Sequence, residues 1–116
     1  MRAKDKPIQT VYIAGARWSL WKLTSKLSGQ FSKYLGLDPE KTLLRGFCDS
    51  SREHIYVRPG QHKEDAMDTL LHEGLHAMLW EFGTEHKLSH IQGDEKTISI
   101  LTSEILGFLK QTGAIE

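Results

Sequence analysis

Apolar and polar positions alternate along the chain in ways that mark out short strands first and long helices later. Thr10-Val11-Tyr12-Ile13-Ala14 is β-branched and aromatic and stops at Gly15, which predicts a first strand. Trp18 and Trp21 follow as two large apolar groups whose default role is core or rim packing. Leu23, Leu27, Phe31 and Tyr34/Leu35 recur at helical spacing, so a helix is expected over about 23–35, stopped by Gly36 and interrupted by Gly29. Leu43-Leu44-Arg45-Gly46-Phe47-Cys48 and His54-Ile55-Tyr56-Val57 read as two short strands. Asp49-Ser50-Ser51-Arg52 would be the hairpin loop between them, and Pro59-Gly60 ends the second.

The second half of the chain changes period. Leu71, Leu75, Met78, Leu79 and Phe82 follow an i, i+3, i+4 stripe, predicting a helix over about 63–82 with that stripe facing the core. Glu64 and Asp65 suit its first turn and Gly83 its end. Gly74 inside it costs about 1 kcal/mol relative to alanine, which suggests either a neutral position or room for a strand or substrate backbone to come close. Residues 84–93 read as a polar loop, and a last helix is expected over about 94–111, before Gly113. Residues 1–7 read as a loose end.

Within the long helix stands His72-Glu73-Gly74-Leu75-His76. Helix positions four apart share a face, so two imidazoles in this relation can reach one Zn²⁺ at roughly 2.0–2.1 Å each. Glu73 projects about 100° round the helix from His72, where a carboxylate can approach a metal-bound water without being a ligand. That is the chemistry of H-E-x-x-H: two ligands, one general base and an open coordination position. Short patterns also arise by chance, but here the surroundings are helical and place both histidines at the edge of the apolar stripe.

Composition narrows the class. At 116 residues the chain fits one domain with a modest core, 1–116. Lys+Arg and Asp+Glu both number 15, so no basic field points to nucleic acid. The single cysteine, Cys48, cannot form an internal disulfide, which fits a reducing compartment; a small buried strand residue is its default role and a thiolate nucleophile the sharper one. The apolar run Val11 to Ala16 is too short for a signal peptide core, and no 18-residue apolar stretch exists, so no membrane span is expected. A cytoplasmic monomer is the expectation.

A catalytic zinc commonly takes a third protein ligand. His86 and His90 qualify by residue type. On the last helix, with stripe Ile98, Leu101, Ile105, Phe108 and Leu109, Asp94 falls near the stripe's centre and Glu95 about 70° to its flank. Glu104 falls off the stripe and reads as a solvated residue. Periodicity alone leaves Asp94 and Glu95 open.

Met67–Leu79 followed by Asp94–Leu109 resembles the small H-E-x-x-H zinc metallopeptidases related to the ImmA/IrrE family, often found in phages and bacteria. Gly46-Phe47-Cys48-Asp49 and Ile55-Tyr56-Val57 are similar to that group's hairpin before the zinc helix, so the likeness covers about 43–109, with H-E-x-x-H its specific motif. In such proteins the second helix opens with a glutamate followed three residues later by an aliphatic. Glu95 with Ile98 matches, so the resemblance implies a His72, His76, Glu95 zinc site. Gly74 departs from the bulky residue usual there.

The resulting expectation is an α+β, zincin-like domain: a small antiparallel β-sheet packed against the H-E-x-x-H helix, plus further helices. Its activity would be zinc-dependent peptide-bond hydrolysis on a peptide or protein substrate, with Glu73 as the base. His86, His90 and Tyr56 are candidates for stabilising the oxyanion, and the strand His54–Val57 for pairing with an extended peptide. The alternative is a zinc-binding regulatory or interaction domain that cleaves nothing.

Overall fold

A computed structural model of the chain describes residues 6–86 and 95–113, the side chains of 82–102 excepted. Its element order is β1 (Gln9–Ile13), β2 (Ala16–Lys22), α1 (Ser25–Tyr34), β3 (Gly46–Asp49), β4 (His54–Val57), α2 (Lys63–His86) and α3 (Glu95–Gln111). The strands form one sheet in the order β1-β2-β4-β3. It is built from two antiparallel hairpins, β1–β2 and β3–β4, laid side by side through a parallel β2–β4 pair. The sheet is therefore mixed, not antiparallel as expected, and its class is α+β.

β2 is the strand that periodicity did not find. Its sequence Ala-Arg-Trp-Ser-Leu-Trp-Lys alternates faces, with Trp18 and Leu20 buried on one side and Ser19 and Trp21 half-buried on the other. Ala14 (φ 51°) and Gly15 (φ 82°) make the two-residue turn into it. Positive φ at both positions is the primed geometry that suits strand twist. An alanine is uncomfortable there, and the Glu104 carboxylate accepts a hydrogen bond from Ala14 N at 2.8 Å. Glu104, read from the sequence as solvated, is half-buried and fastens this turn to α3.

The two faces of the sheet are covered differently. Val11, Ile13, Trp18, Leu20 and Ile55 meet Ala77 and Met78 of α2 and Phe108 of α3 in the main core. On the other face Phe31 of α1 stacks on Phe47 at 4.1 Å and tilts against Tyr56 at 4.9 Å. Thr24 caps α1 through its side chain, which accepts from Leu27 N, and Gly36 at φ 76° ends it.

α2 differs from expectation in length and in orientation. It runs on through Gly83 to His86, because a glycine lowers helix stability without forbidding a helix. Its buried face is Thr69, Glu73, Gly74, Ala77 and Met78, while Leu75 and Leu79 lie exposed. Of the expected stripe Met78 faces the core and Leu75 and Leu79 do not. The small Gly74 and Ala77 share the buried face, because the sheet and α3 both come close to the helix there. A Cβ added at Gly74 would sit 2.8 Å from Cε2 of Phe108, a ring that is fully buried. The approach that Gly74 permits is that of an aromatic side chain, not of a strand or substrate backbone.

α3 also shields the outer edge of β1. The Gln111 amide accepts from Tyr12 N at 2.8 Å and donates to Tyr12 O at 3.1 Å, as a neighbouring strand would, and Gln9 Nε2 donates to the Gln111 backbone carbonyl. The outer edge of β3 carries no strand among the described residues.

Two glycines give a paired test of this packing. Gly107 of α3 has no heavy atom within 4 Å of an added Cβ. Gly107→Ala should gain stability, by up to about 1 kcal/mol, from helix propensity alone. Gly74→Ala has the same propensity gain but must overpack Phe108, at a cost of about 1–3 kcal/mol. Urea unfolding should show opposite signs for the two variants.

Candidate metal centre

His72, Glu73 and His76 sit in the third and fourth turns of α2, where the helix passes beside the first residue of β3. The four-residue spacing turns both imidazoles out to solvent on one face, and their Nε2 atoms converge to 3.2 Å. Two nitrogens each roughly 2.0–2.1 Å from one tetrahedral ion are about 3.3 Å apart. The pair has the spacing of two ligands on one cation and is open to solvent.

Glu73 lies on the adjoining, buried side, with 8% of its surface exposed. One carboxylate oxygen and the two imidazole nitrogens lie within 4.8 Å of one another. Space for the side chain comes from Gly46. A Cβ there would meet Thr69 Cγ2 at 2.7 Å, Tyr56 O at 2.9 Å and Glu73 Cγ at 3.0 Å. Burial pushes the Glu73 carboxyl above its usual range, with His72 pulling it partly back. Folding therefore favours the protonated acid, and in metal-free protein its ionisation removes stability as pH rises through the raised value.

Side chains from several elements hold this part of α2 against the sheet. Gln61 donates to the carbonyl oxygens of Arg58 at 2.8 Å and Arg45 at 3.2 Å, and its own oxygen accepts from Thr69 Oγ1 at 3.0 Å. Two turns beyond Glu73, Glu81 accepts from Nε1 of the buried Trp18 at 3.0 Å. The exposed ion pairs of Arg45 with Asp65 and Asp68, at 3.9 and 4.0 Å, add little. Gly46, Gln61 and Glu81 were not singled out in the sequence for these roles; Gly46 stood inside the expected strand Leu43–Cys48, whereas β3 begins at it.

A cleft of about 700 Å³ opens over the three residues, lined also by Leu35, Gly46, Phe47, Cys48, Ser50, Leu79 and Trp80. Cys48 is half-buried and its thiol is pushed up to about 11, chiefly by burial, so at neutral pH it is protonated and not a thiolate nucleophile. Tyr56 is not brought to the cleft. It lies on the α1 face with its hydroxyl 3.1 Å from His54 Nδ1, which removes it as an oxyanion donor to this site. β4 is flanked by β2 and β3, so the strand His54–Val57 has no free edge for a peptide. Among the described residues, no other strand covers the outer side of β3. Arg58 N donates to Arg45 O at 2.8 Å, and alternation along the antiparallel ladder then turns the backbone groups of Gly46 and Cys48 outward.

His90 and Asp94 lie outside the described residues, as do the side chains of His86, which ends α2, and Glu95, which opens α3. Glu95 precedes Phe108 by thirteen helical residues, roughly 20 Å of rise, and Phe108 packs against Gly74, beside the histidine pair. Among the described residues no helix is long and apolar enough to cross a membrane. No protein family matches the sequence, and no curated protein or solved structure matches it.

The contact between Gly46 and Glu73 yields a test. Gly46→Ala places a methyl against backbone and against the Glu73 side chain, and should cost about 1–3 kcal/mol of stability. With the histidines untouched, zinc affinity should change little while Glu73 is displaced. Isothermal titration with Zn²⁺ beside urea unfolding reads both effects.

Proposed function

We propose that the protein is a zinc-dependent peptidase in which His72 and His76 hold the metal and Glu73 is the general base. The observation that carries this reading is the convergence of two exposed imidazoles at 3.2 Å beside a carboxylate that is buried at some cost. A purely structural site has no need of such a carboxylate. Zinc, when bound, supplies a Lewis acid and lowers the pKa of its water towards about 7. Glu73 then accepts a proton at its carboxylate as water attacks the peptide carbonyl, and returns it to the leaving amine. The outward N–H and C=O groups of Gly46 and Cys48 can pair with an extended peptide and lay its backbone along the cleft.

The resemblance offers Glu95 as third ligand. Glu95 opens α3 about 20 Å of helical rise from the Phe108 contact, and Asp94, His86 and His90 stand as its rivals. The purified protein should bind about one zinc per chain, and His72→Ala should abolish this. Glu95→Ala should weaken it strongly, whereas Glu104→Ala should leave zinc in place and lower stability by loosening the Ala14 turn. Retention of zinc by Glu95→Ala, with loss in one of the other three alanine variants, would move the ligand to that residue. Elemental analysis after dialysis makes the comparison.

Catalysis is tested by separating ligand from base. Glu73→Gln should keep zinc and fold while losing about 10²–10⁴-fold in peptide hydrolysis, measured on a peptide library at equal zinc content. A zinc-loaded wild type that cleaves nothing would leave a metal-stabilised binding domain as the reading.

A further inference from the structure

The sequence placed Leu75 and Leu79 in the core, and the structure leaves both exposed, at 36% and 38%, with Trp80 beside them at 46%. Large apolar side chains left out of a core need a different use. Trp80 follows His76 by four residues and Leu79 by three, so both stand on the histidine face of α2, one turn further on. Leu35, the residue that ends α1, and Phe47 of β3 complete the wall of the same cleft. Three separate elements thus bring apolar side chains to one place beside the histidine pair, next to the open edge of β3.

Its described wall is also uncharged. Among the described residues outside His72, Glu73 and His76, the only ionisable group lining the cleft is the Cys48 thiol, which burial keeps neutral. A carboxylate or ammonium set against Leu35, Phe47, Leu79 and Trp80 would lose water there, and none of these four side chains offers a countercharge. A leucine- or phenylalanine-sized group would instead cover surface that solvent now meets. β3 supplies the geometry, since a strand added along it projects alternate side chains to opposite faces. One residue of such a strand then faces His72 and His76 while its neighbour faces the Phe47 side.

We propose that Leu35, Phe47, Leu79 and Trp80 form the specificity subsite of the metal centre, so that the substrate is an extended peptide carrying a large apolar residue next to the bond that is cut. This assignment rests on the peptidase reading and names its substrate class. Leu35 and Trp80 are its most informative members, being exposed, on different elements and separate from the metal-binding and base residues.

Simple hydroxamates chelate zinc without being turned over, so affinity can be read without catalysis. Hydroxamates of N-blocked glycine, phenylalanine and aspartate would be titrated calorimetrically into the zinc-loaded protein. The phenylalanine compound should bind on the order of 10–100-fold more tightly than the glycine compound, the value of burying one large apolar side chain. The aspartate compound should bind no better than the glycine one. Trp80→Ala should remove most of the phenylalanine advantage and leave the glycine compound within about threefold of wild type, since chelation itself is untouched. Leu35→Lys should raise affinity for the aspartate compound specifically, a gain that general loosening of the fold cannot produce. Equal binding of all three compounds by zinc-loaded wild type would overturn the subsite and leave the metal centre standing. Failure to bind zinc at all would overturn the metal reading, and the subsite with it.

Discussion

Two contacts at backbone level fix α2, and everything near the histidine pair depends on them. On one side the helix meets β3 at Gly46, where no side chain fits between strand and helix. On the other, Phe108 fills the notch at Gly74. Glu73 and Gly74 are neighbours, so the two contacts grip the helix at one level from two directions about 100° apart. Rotation about the helix axis is thereby blocked at the level of Glu73. With Glu73 held in and His72 and His76 held out, the carboxylate and the imidazole pair keep separate environments while lying within 4.8 Å.

The same grip explains which parts of the sequence were legible. His72, Glu73 and His76 declared themselves because helical spacing alone brings them together. β4 was legible in full, and α1 and α3 to within a few residues, because their ends carry local signals such as Gly36 and Gly113. The face of α2 was not legible. Periodicity ranks residues by apolarity and sent the leucines inward, but the space available in the core favoured Gly74 and Ala77 there. That space is set by Phe108, more than thirty positions away, and by Gly46, before the helix begins. β2 escaped for a related reason, since Arg17, Ser19 and Lys22 break its apolar run and its partner β4 lies far along the chain.

Edge chemistry divides the sheet in two. The β1 edge is closed by amide groups of Gln111, whose side chain exchanges hydrogen bonds with Tyr12 as a strand would. Such a seal is one of the ways in which sheets avoid pairing with other chains. The β3 edge is left to the cleft, bordered by Leu35 and Trp80. The outward backbone groups of β3 therefore stand beside the histidine pair, and Gln111 caps the opposite end of the sheet. Cys48 belongs to this division as a neutral filler under the strand, kept so by its burial.

The parallel β2–β4 pair has a consequence for the order in which the molecule assembles. Each hairpin is local and closes through a short turn, and hairpins of this kind form in roughly microseconds. Joining Ser19–Lys22 to His54–Val57 is different, because the whole of α1 and β3 lies between them in sequence. Non-local pairings of this kind dominate folding times. Cleft and core share that step, because Trp18 and Leu20 on β2 and Ile55 on β4 give α2 the floor on which it lies. Before the hairpins dock, α2 has its histidines but no strand above Glu73. His72, Glu73 and His76 are neighbours in sequence, yet the pocket around them needs a pairing between strands that lie far apart along the chain.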